Sequence, residues 1–460
     1  MSSPAGEAFY AARDLRTAQL GGQAGALSRP VHLIVGQDAA ATRAGQVAVI
    51  ATANILARVH RELHFTVPAV PVLARGRAPA GDLPALVRET AVAINPFLIL
   101  TVTDTAPAAG NAAGIAAAIG LEVPDGLDLY AGWAGGRGEI SDQPSLATQA
   151  DDGLIGAATA SCLLAAGIFR ACHGSPAAGG RINLAERAAG AAAGTTTVAG
   201  PIDVGDTLVV GAGAVAQALL YWAREISVTR SWTVADGDTC KIHNTNRCMG
   251  MTAGHAGWPR GEPGGPEALK ADVAAALIGA RPFPHWYDQW ADSEISRPDL
   301  VLPLANERAV RALVAGRGEP ILLHATTSPN WSAQLHRHLA DQDDCPACRL
   351  PSGSEPAFTC ATGPCSPEQP NSSDAALPFV SAMAGLQLAV ALLQLPGSGP
   401  LLEEPANHWQ LDLTLPKAPW LVSRHVQGPC VHVLTPATRT RIYSAQSRRW
   451  DAAIRHRAVD

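Results

Sequence analysis

Lysine is almost missing from this 460-residue chain: Lys241, Lys270 and Lys417 are its only three, although Lys and Arg together number 34. Aromatic residues are sparse at 5% and charged residues make up 16%. Asp and Glu number 40, so the net charge is -6. A chain with no basic excess cannot neutralise a run of phosphates, which argues against a nucleic-acid partner. Nine cysteines in a chain of this length do not make the dense framework of a small secreted protein. Residues 1–19 carry Arg13 and Arg16 and no apolar core, so no signal peptide is expected. The most membrane-like run, 377–395, is uncharged and about as long as a bilayer span. Ser381, Gly385, Gln387 and Gln394 interrupt it, which fits a buried core helix better than a lipid-facing one. No membrane partner is expected, and the chain reads as cytoplasmic. No HExxH motif occurs, and no His pairs with an acid in a hydrolase pattern.

What is present is apolar material, 47% of the chain, enough for two or three domains. Strand-like runs alternate with Ala-rich stretches, the signature of an α/β fold with parallel sheets covered by helices. Two passages resemble each other. His32-Leu-Ile-Val-Gly36 and Thr207-Leu-Val-Val-Gly211 each lead into an Ala-rich stretch, and each half later carries a small-residue helix, at 153–172 and 377–395. The join between halves is expected within 174–205, and a long Pro-, Ser- and Gly-rich loop at 350–376.

The unit at 206–247 carries the most chemistry. Leu208-Val-Val-Gly-Ala-Gly-Ala-Val-Ala216 reads as a strand, a tight turn and a helix start. Gly211 allows the turn, Gly213 lets the backbone approach a phosphate, and the helix N-terminus offers free N–H groups to an anion. This much fits NAD, flavin or ATP equally. About twenty residues on, Asp236-Gly-Asp238 places carboxylates where a ribose hydroxyl is held. Asn244-Thr-Asn-Arg247 and then Lys270 follow. Cations beyond the ribose suit a triphosphate, whose departing pyrophosphate must be neutralised.

The stretch Asp236-Gly-Asp-Thr-Cys-Lys-Ile-His-Asn-Thr-Asn-Arg247 resembles the Asp-x-Asp…Ser-Asn-Leu-x-Arg signature of ThiF, MoeB and the ubiquitin-activating enzymes, with His243 in the usual Ser place. The resemblance covers about 200–396 well and the N-terminal half in outline. It implies an α/β fold of two Rossmann-like ThiF-type adenylation domains with mostly parallel sheets flanked by helices. Residues 1–190 would form a degenerate, inactive domain. Residues 191–460 would form the active one, with a cysteine-bearing crossover loop at about 340–376. By the same resemblance Gly211, Gly213, Asp236 and Asp238 would hold ATP, with Asp238 on the ribose. Asn244, Arg247 and Lys270 would hold the phosphates, Arg247 and Lys270 in a catalytic role. One departure is evident. The family places an Mg²⁺-binding Asp in an Asp-Asn pair ahead of an Arg, and here Asn306 and Glu307 stand in that pair with Arg311 retained. Asn306 can ligate Mg²⁺ only through a neutral carbonyl oxygen.

Cys345 and Cys348 have zinc-knuckle spacing and need two more ligands. Cys430 is one candidate, with His425 or His432 beside it. Cys360, twelve residues past Cys348, lies where the family's thioester cysteine follows its CxxC. A loop suits a nucleophile that must reach an acyl-adenylate. Cys365 competes for that role, or both complete a metal site with the CxxC. Cys162 and Cys172 read as core, while Cys240 and Cys248 flank the nucleotide motif. In the N-terminal half Asp38 stands where the second glycine belongs, and a carboxylate there repels phosphate. An inactive half of this kind could lend an Arg to the phosphates, from Arg13, Arg16 or Arg43.

The resemblance therefore implies ATP-dependent activation of a ubiquitin-like protein and transfer to a ubiquitin-conjugating-type enzyme. It looks most like the activating enzymes of bacterial ubiquitin-like conjugation operons, with a homodimer among the assemblies allowed. Two alternatives stay open: an NAD-dependent oxidoreductase, and a non-catalytic nucleotide-binding scaffold.

Overall fold

The computed structural model describes residues 3–14, 25–73, 81–104, 114–144, 153–175, 179–189, 202–226, 228–229, 231–293, 298–319, 321–328, 330–340, 342–349, 377–395, 400–414, 420–426, 428 and 430–432. The fold is mixed α/β, with two large, mostly parallel sheets flanked by helices. In the first sheet the strands are β1 (Val31–Val35), β2 (Glu62–Thr66), β3 (Ile99–Thr103), β4 (Ile115–Ile119), β5 (Leu129–Ala134), β6 (Arg137–Ser141), β7 (Gly180–Asn183) and β8 (Ala188–Ala189). In the second they are β9 (Thr207–Val210), β10 (Trp232–Ala235), β11 (Arg281–Phe283), β12 (Leu300–Pro303), β13 (Ile321–Thr327), β14 (Ser332–Leu339), β15 (His408–Asp412) and β16 (Leu421–Ser423).

The first sheet runs β3-β2-β1-β4-β5-β6-β7-β8 and the second β11-β10-β9-β12-β13-β14-β15-β16, the same order twice. Orientation also repeats: five parallel strands, then three antiparallel ones. The two passages alike in sequence are thus β1 and β9, the strands from which each sheet grows in both directions. Every residue of β9 is buried, as expected of a central parallel strand covered on both faces.

Four apolar helices lie between the sheets: Arg43–Ala57, Leu154–Cys172, Ala214–Ile226 and Pro378–Leu393. Small residues let them approach closely. A Cβ on Gly385 would stand 2.5 Å from the Cβ of Ala218 and from the backbone N of Leu219, so the helix 378–393 lies almost in backbone contact with the helix 214–226. Trp222 donates its indole N–H to the carbonyl of Ala382 across the same seam. The halves share one continuous core, and Phe169 packs on Phe379 and Trp331 from across it. The uncharged run singled out in the sequence is the buried helix 378–393. Among the described residues one helix, Leu154–Cys172, is long and apolar enough to cross a membrane, and 83% of its apolar window is buried inside the structure. On its far side the second sheet is covered by Tyr287 and Trp290 of the helix Tyr287–Ser293 and by Val314 of the helix Arg308–Gly316.

Candidate functional site

The order in which strands are added reverses between the parallel neighbours β9 and β12, and their C-terminal ends open a crevice of the kind in which doubly wound sheets bind ligands. Three loops meet there, after β9, β10 and β12. Gly211 has φ +93°, and a Cβ on it would stand 2.8 Å from the backbone N of Ala305. The turn therefore needs glycine for both conformation and space. A Cβ on Gly213 would meet nothing within 4 Å, so that side of the loop is open.

Asp236 ties the loops together. Its carboxylate accepts from Ala212 N at 2.6 Å and from Asp238 N at 2.8 Å. Burial pushes this carboxyl up from its ordinary value, against the opposing pull of Lys270 and of those two N–H groups. Asp238 accepts from the Lys270 ammonium at 2.7 Å, and Lys270 is only 5% exposed. An ordinary solvated helix lysine would not be buried on a carboxylate, so Lys270 is fixed beside Asp238 at the edge of the crevice. Asn244 is buried and caps the short turn Ile242–Asn244, its side-chain oxygen accepting from Lys241 N at 3.0 Å. Arg247, also buried, donates to the carbonyl of His243 at 3.3 Å and to the side chain of Asn246 at 3.4 Å. Asn306 is exposed just beyond β12, and Glu307 begins the helix 308–316. Arg311 is buried and donates to the carbonyl of Ala305 at 2.9 Å, bracing the loop that faces Gly211. The indole of Trp286, which the sequence did not single out, packs against Gly237, the residue between Asp236 and Asp238 in sequence, with 45% of its surface exposed.

The same crevice in the first sheet is closed from within. The Asp38 carboxylate accepts from Leu121 N at 2.9 Å and Glu122 N at 3.2 Å. A Cβ on Gly36 or Gly120 would stand 2.3 or 2.7 Å from Asp38 Oδ1. The carboxylate thus takes the backbone N–H groups that an anion would use. Of the arginines proposed to cross over, Arg13 is buried on Asp14 and the carbonyls of Ala57 and Val59. Arg43 binds Glu225 at the end of the helix 214–226. Arg16 lies outside the described residues, as do Cys360 and Cys365.

A second constellation forms at the end of β14. Cys345 and Cys348, flanking and within the short helix Pro346–Arg349, meet Cys430 and His432. Sulfur–sulfur separations are 3.4 Å for Cys345–Cys430 and 3.2 Å for Cys348–Cys430. His432 Nδ1 stands 3.7, 3.4 and 3.3 Å from the sulfurs of Cys345, Cys348 and Cys430. A tetrahedron with metal–sulfur legs of about 2.3 Å has edges of about 3.8 Å, close to this spacing. Three thiols and one imidazole fit a structural zinc ion, which Cys345, Cys348, Cys430 and His432 would hold. His425 instead hydrogen-bonds Ser423. Asn407, fully buried, clamps the two ligand-bearing segments by donating to the carbonyl of His425 and to Asp344.

Between the two sites runs a chain of buried imidazoles. Arg311 Nη1 stands 3.4 Å from His324 Nε2, His324 Nδ1 stands 3.0 Å from His338 Nε2, and His338 Nδ1 stands 2.6 Å from the carbonyl of Asp344. Only one proton arrangement satisfies all three contacts. The guanidinium donates to a neutral His324, which donates to a neutral His338, which donates to the Asp344 carbonyl. Burial, with cationic neighbours, holds His324 well below the usual histidine range. Cys240 and Cys248 are buried with Met251 and Val273, and burial pushes the Cys240 thiol up to about 12. Cys162 and Cys172 are core.

No protein-family model matches the chain, and no curated protein does. Among solved structures it is similar to E. coli MccB, at 12% identity and a TM-score of 0.34 over 50% of this chain and 66% of that one. E. coli MccB with ATP matches at 12% identity and TM-score 0.34, over 49% and 64%. The microcin C7 biosynthetic enzyme MccB with N-formylated MccA matches at 12% and 0.32, over 49% and 66%. Each match takes in about half of this chain and less than two thirds of the other.

Proposed function

We propose that the chain is an ATP-dependent adenylating enzyme of the ubiquitin-activating kind. The observation that carries this reading is the pairing of two like sheets with unlike crevices. In the second, Asp236 ties the glycine loop to Asp238, Lys270 is buried on Asp238, and the loop at Gly213 is open. In the first, Asp38 fills the equivalent place. On this reading 1–190 is the inactive domain and 191–460 the active one, working in the cytoplasm.

ATP enters the second crevice with its phosphates along the loop at Gly211 and Gly213, and its ribose on Asp238. A carboxylate at the end of a ubiquitin-like protein attacks the α-phosphorus and pyrophosphate leaves, its charge met by Arg247 and Lys270. Asn306 and Glu307 would hold Mg²⁺, which neutralises phosphate charge when bound. Cys360 then attacks the acyl carbon as a thiolate, AMP leaves, and the thioester passes to a conjugating-type enzyme.

The test is ATP–pyrophosphate exchange with candidate ubiquitin-like proteins ending in glycine, followed by a thiol-sensitive shift on a gel that Cys360→Ala abolishes. Exchange absent with every candidate ends the reading. A second reading, a nucleotide-binding scaffold, is favoured by the uncharged Asn306; ATP binding without exchange would establish it. Thermal stabilisation by NAD and not by ATP would point to an oxidoreductase.

A further inference from the structure

We infer that Arg58, in the first half of the chain, is a positioning residue for the nucleotide loop of the second half. This rests on the adenylation reading above.

Arg58 directly follows the helix 43–57 and is fully buried. Its guanidinium makes four hydrogen bonds. Nε donates to Asn54 Oδ1 at 3.0 Å, Nη1 to the carbonyls of Thr245 at 2.6 Å and Met251 at 3.1 Å, and Nη2 to the carbonyl of Met249 at 2.8 Å. Asn54 adds a bond from its amide nitrogen to the same Met249 carbonyl at 3.2 Å. The contacts to the carbonyls of 245–251 join residues 187 to 195 positions apart. Among the described residues Arg58 has no carboxylate partner; every acceptor besides Asn54 is a backbone oxygen of 245–251.

That loop continues the Asn244–Arg247 motif without a break, and Thr245 and Asn246 are fully buried. Three carbonyls turned toward one buried guanidinium define the path of the backbone from which Arg247 projects. A guanidinium suits this work because its donors lie in a fixed planar fork. Removing the fork leaves the Thr245 and Met251 carbonyls without their donor and Met249 with Asn54 alone; unmet buried carbonyls are costly, so the loop must rearrange. The first half therefore acts on the site through loop geometry, without touching the nucleotide.

The experiment titrates the full-length chain with ATP·Mg²⁺ by calorimetry, alongside thermal melting. Arg58→Met should weaken ATP binding about tenfold or more, equivalent to losing one charge-assisted hydrogen bond, with Arg58→Lys between it and the wild type. The control is Asn95→Ala, a buried side chain that donates to the carbonyl of His60 within the first half. It should lower the melting temperature and leave ATP affinity within about twofold of wild type, inside the spread of a surface-neutral change. Folded Arg58→Met protein that binds ATP as tightly as Asn95→Ala overturns the inference and leaves only a structural role. If Arg58→Met does not fold, Asn54→Ala decides. It removes the Nε acceptor and one donor to Met249, and unchanged affinity in it is equally fatal. Wild-type protein that binds no ATP refutes the adenylation reading itself, and this role with it; wild-type binding with unaffected variants refutes this role alone.

Discussion

His60 offers a measurement of burial that needs no knowledge of substrate. It lies fully buried next to the helix 43–57, and among the described residues neither ring nitrogen has a hydrogen-bond partner. Burial, helped by Arg13 and His173, pulls its pKa from 6.5 to about 3. The folded state therefore keeps the ring neutral while the unfolded chain protonates it near 6.5. Protons bound by the unfolded state alone destabilise the fold as pH falls. The contribution is complete above pH 6.5 and is lost progressively on acidification toward the folded value. Each pH unit in this window is worth about 1.4 kcal/mol, so between pH 8 and pH 4.5 the loss assigned to His60 is about 2.7 kcal/mol. His60→Leu removes the titrating group at similar volume. Urea unfolding of both proteins across pH 8 to 4.5 would show the variant gaining about 2.7 kcal/mol on the wild type. Other titrating groups cancel in the difference. Parallel curves for the two proteins would show that His60 is protonated or solvated in the folded state and would refute the reasoning.

Further outcomes follow from the two sites. The wild type should retain stoichiometric zinc through dialysis, read by metal analysis; Cys430→Ser and His432→Ala should each abolish it and lower the melting temperature in zinc-containing buffer, since a bound ion stabilises by mass action. Gly211→Ala forces a side chain into a left-handed turn against Ala305; it should cost about 2–5 kcal/mol in unfolding experiments and abolish ATP binding. Lys270→Met leaves Asp238 without its buried partner and should cost about 3 kcal/mol. Adding Asp238→Asn should restore part of that stability but not nucleotide affinity, a non-additivity read from the double-mutant cycle.

How much of this was legible in the sequence depended on distance along the chain. The glycine loop, Asp236 and Asp238 lie within one strand–helix–strand unit, so their chemistry showed in linear order. The burial of Asn244 in a cap did not show, because Asn caps turns and binds ligands with the same groups. Cys345 and Cys348 were visible as a pair, but choosing His432 over His425 needed the placement of 424–426 against Asp343 and Asp344. His336 and His338 are two apart on β14 and share a face. Their alignment with the others is a matter of register: His324 pairs with His336 and His336 with His408 across antiparallel strands, and register cannot be read from spacing alone. Arg58 was one arginine among many, and little local marked it, since apart from Asn54 its partners belong to the other half.

The two crevices show how little separates an occupied site from an open one. Both sheets have the same strand order, so strand ends and loops fall in equivalent places. In the second half a carboxylate reaches in from the end of β10: Asp236 binds Ala212 N and leaves Gly213 clear. In the first half a carboxylate stands in the turn after β1 itself, and Asp38 spends its oxygens on the N–H groups after β4. A fixed internal anion satisfies those donors at no cost in association entropy, which an incoming phosphate must overcome. One side chain therefore suffices to fill the first crevice while its strand order is retained. What remains useful is the helix layer, and through it Arg58 delivers a rigid fork to the loop of the crevice that stayed open.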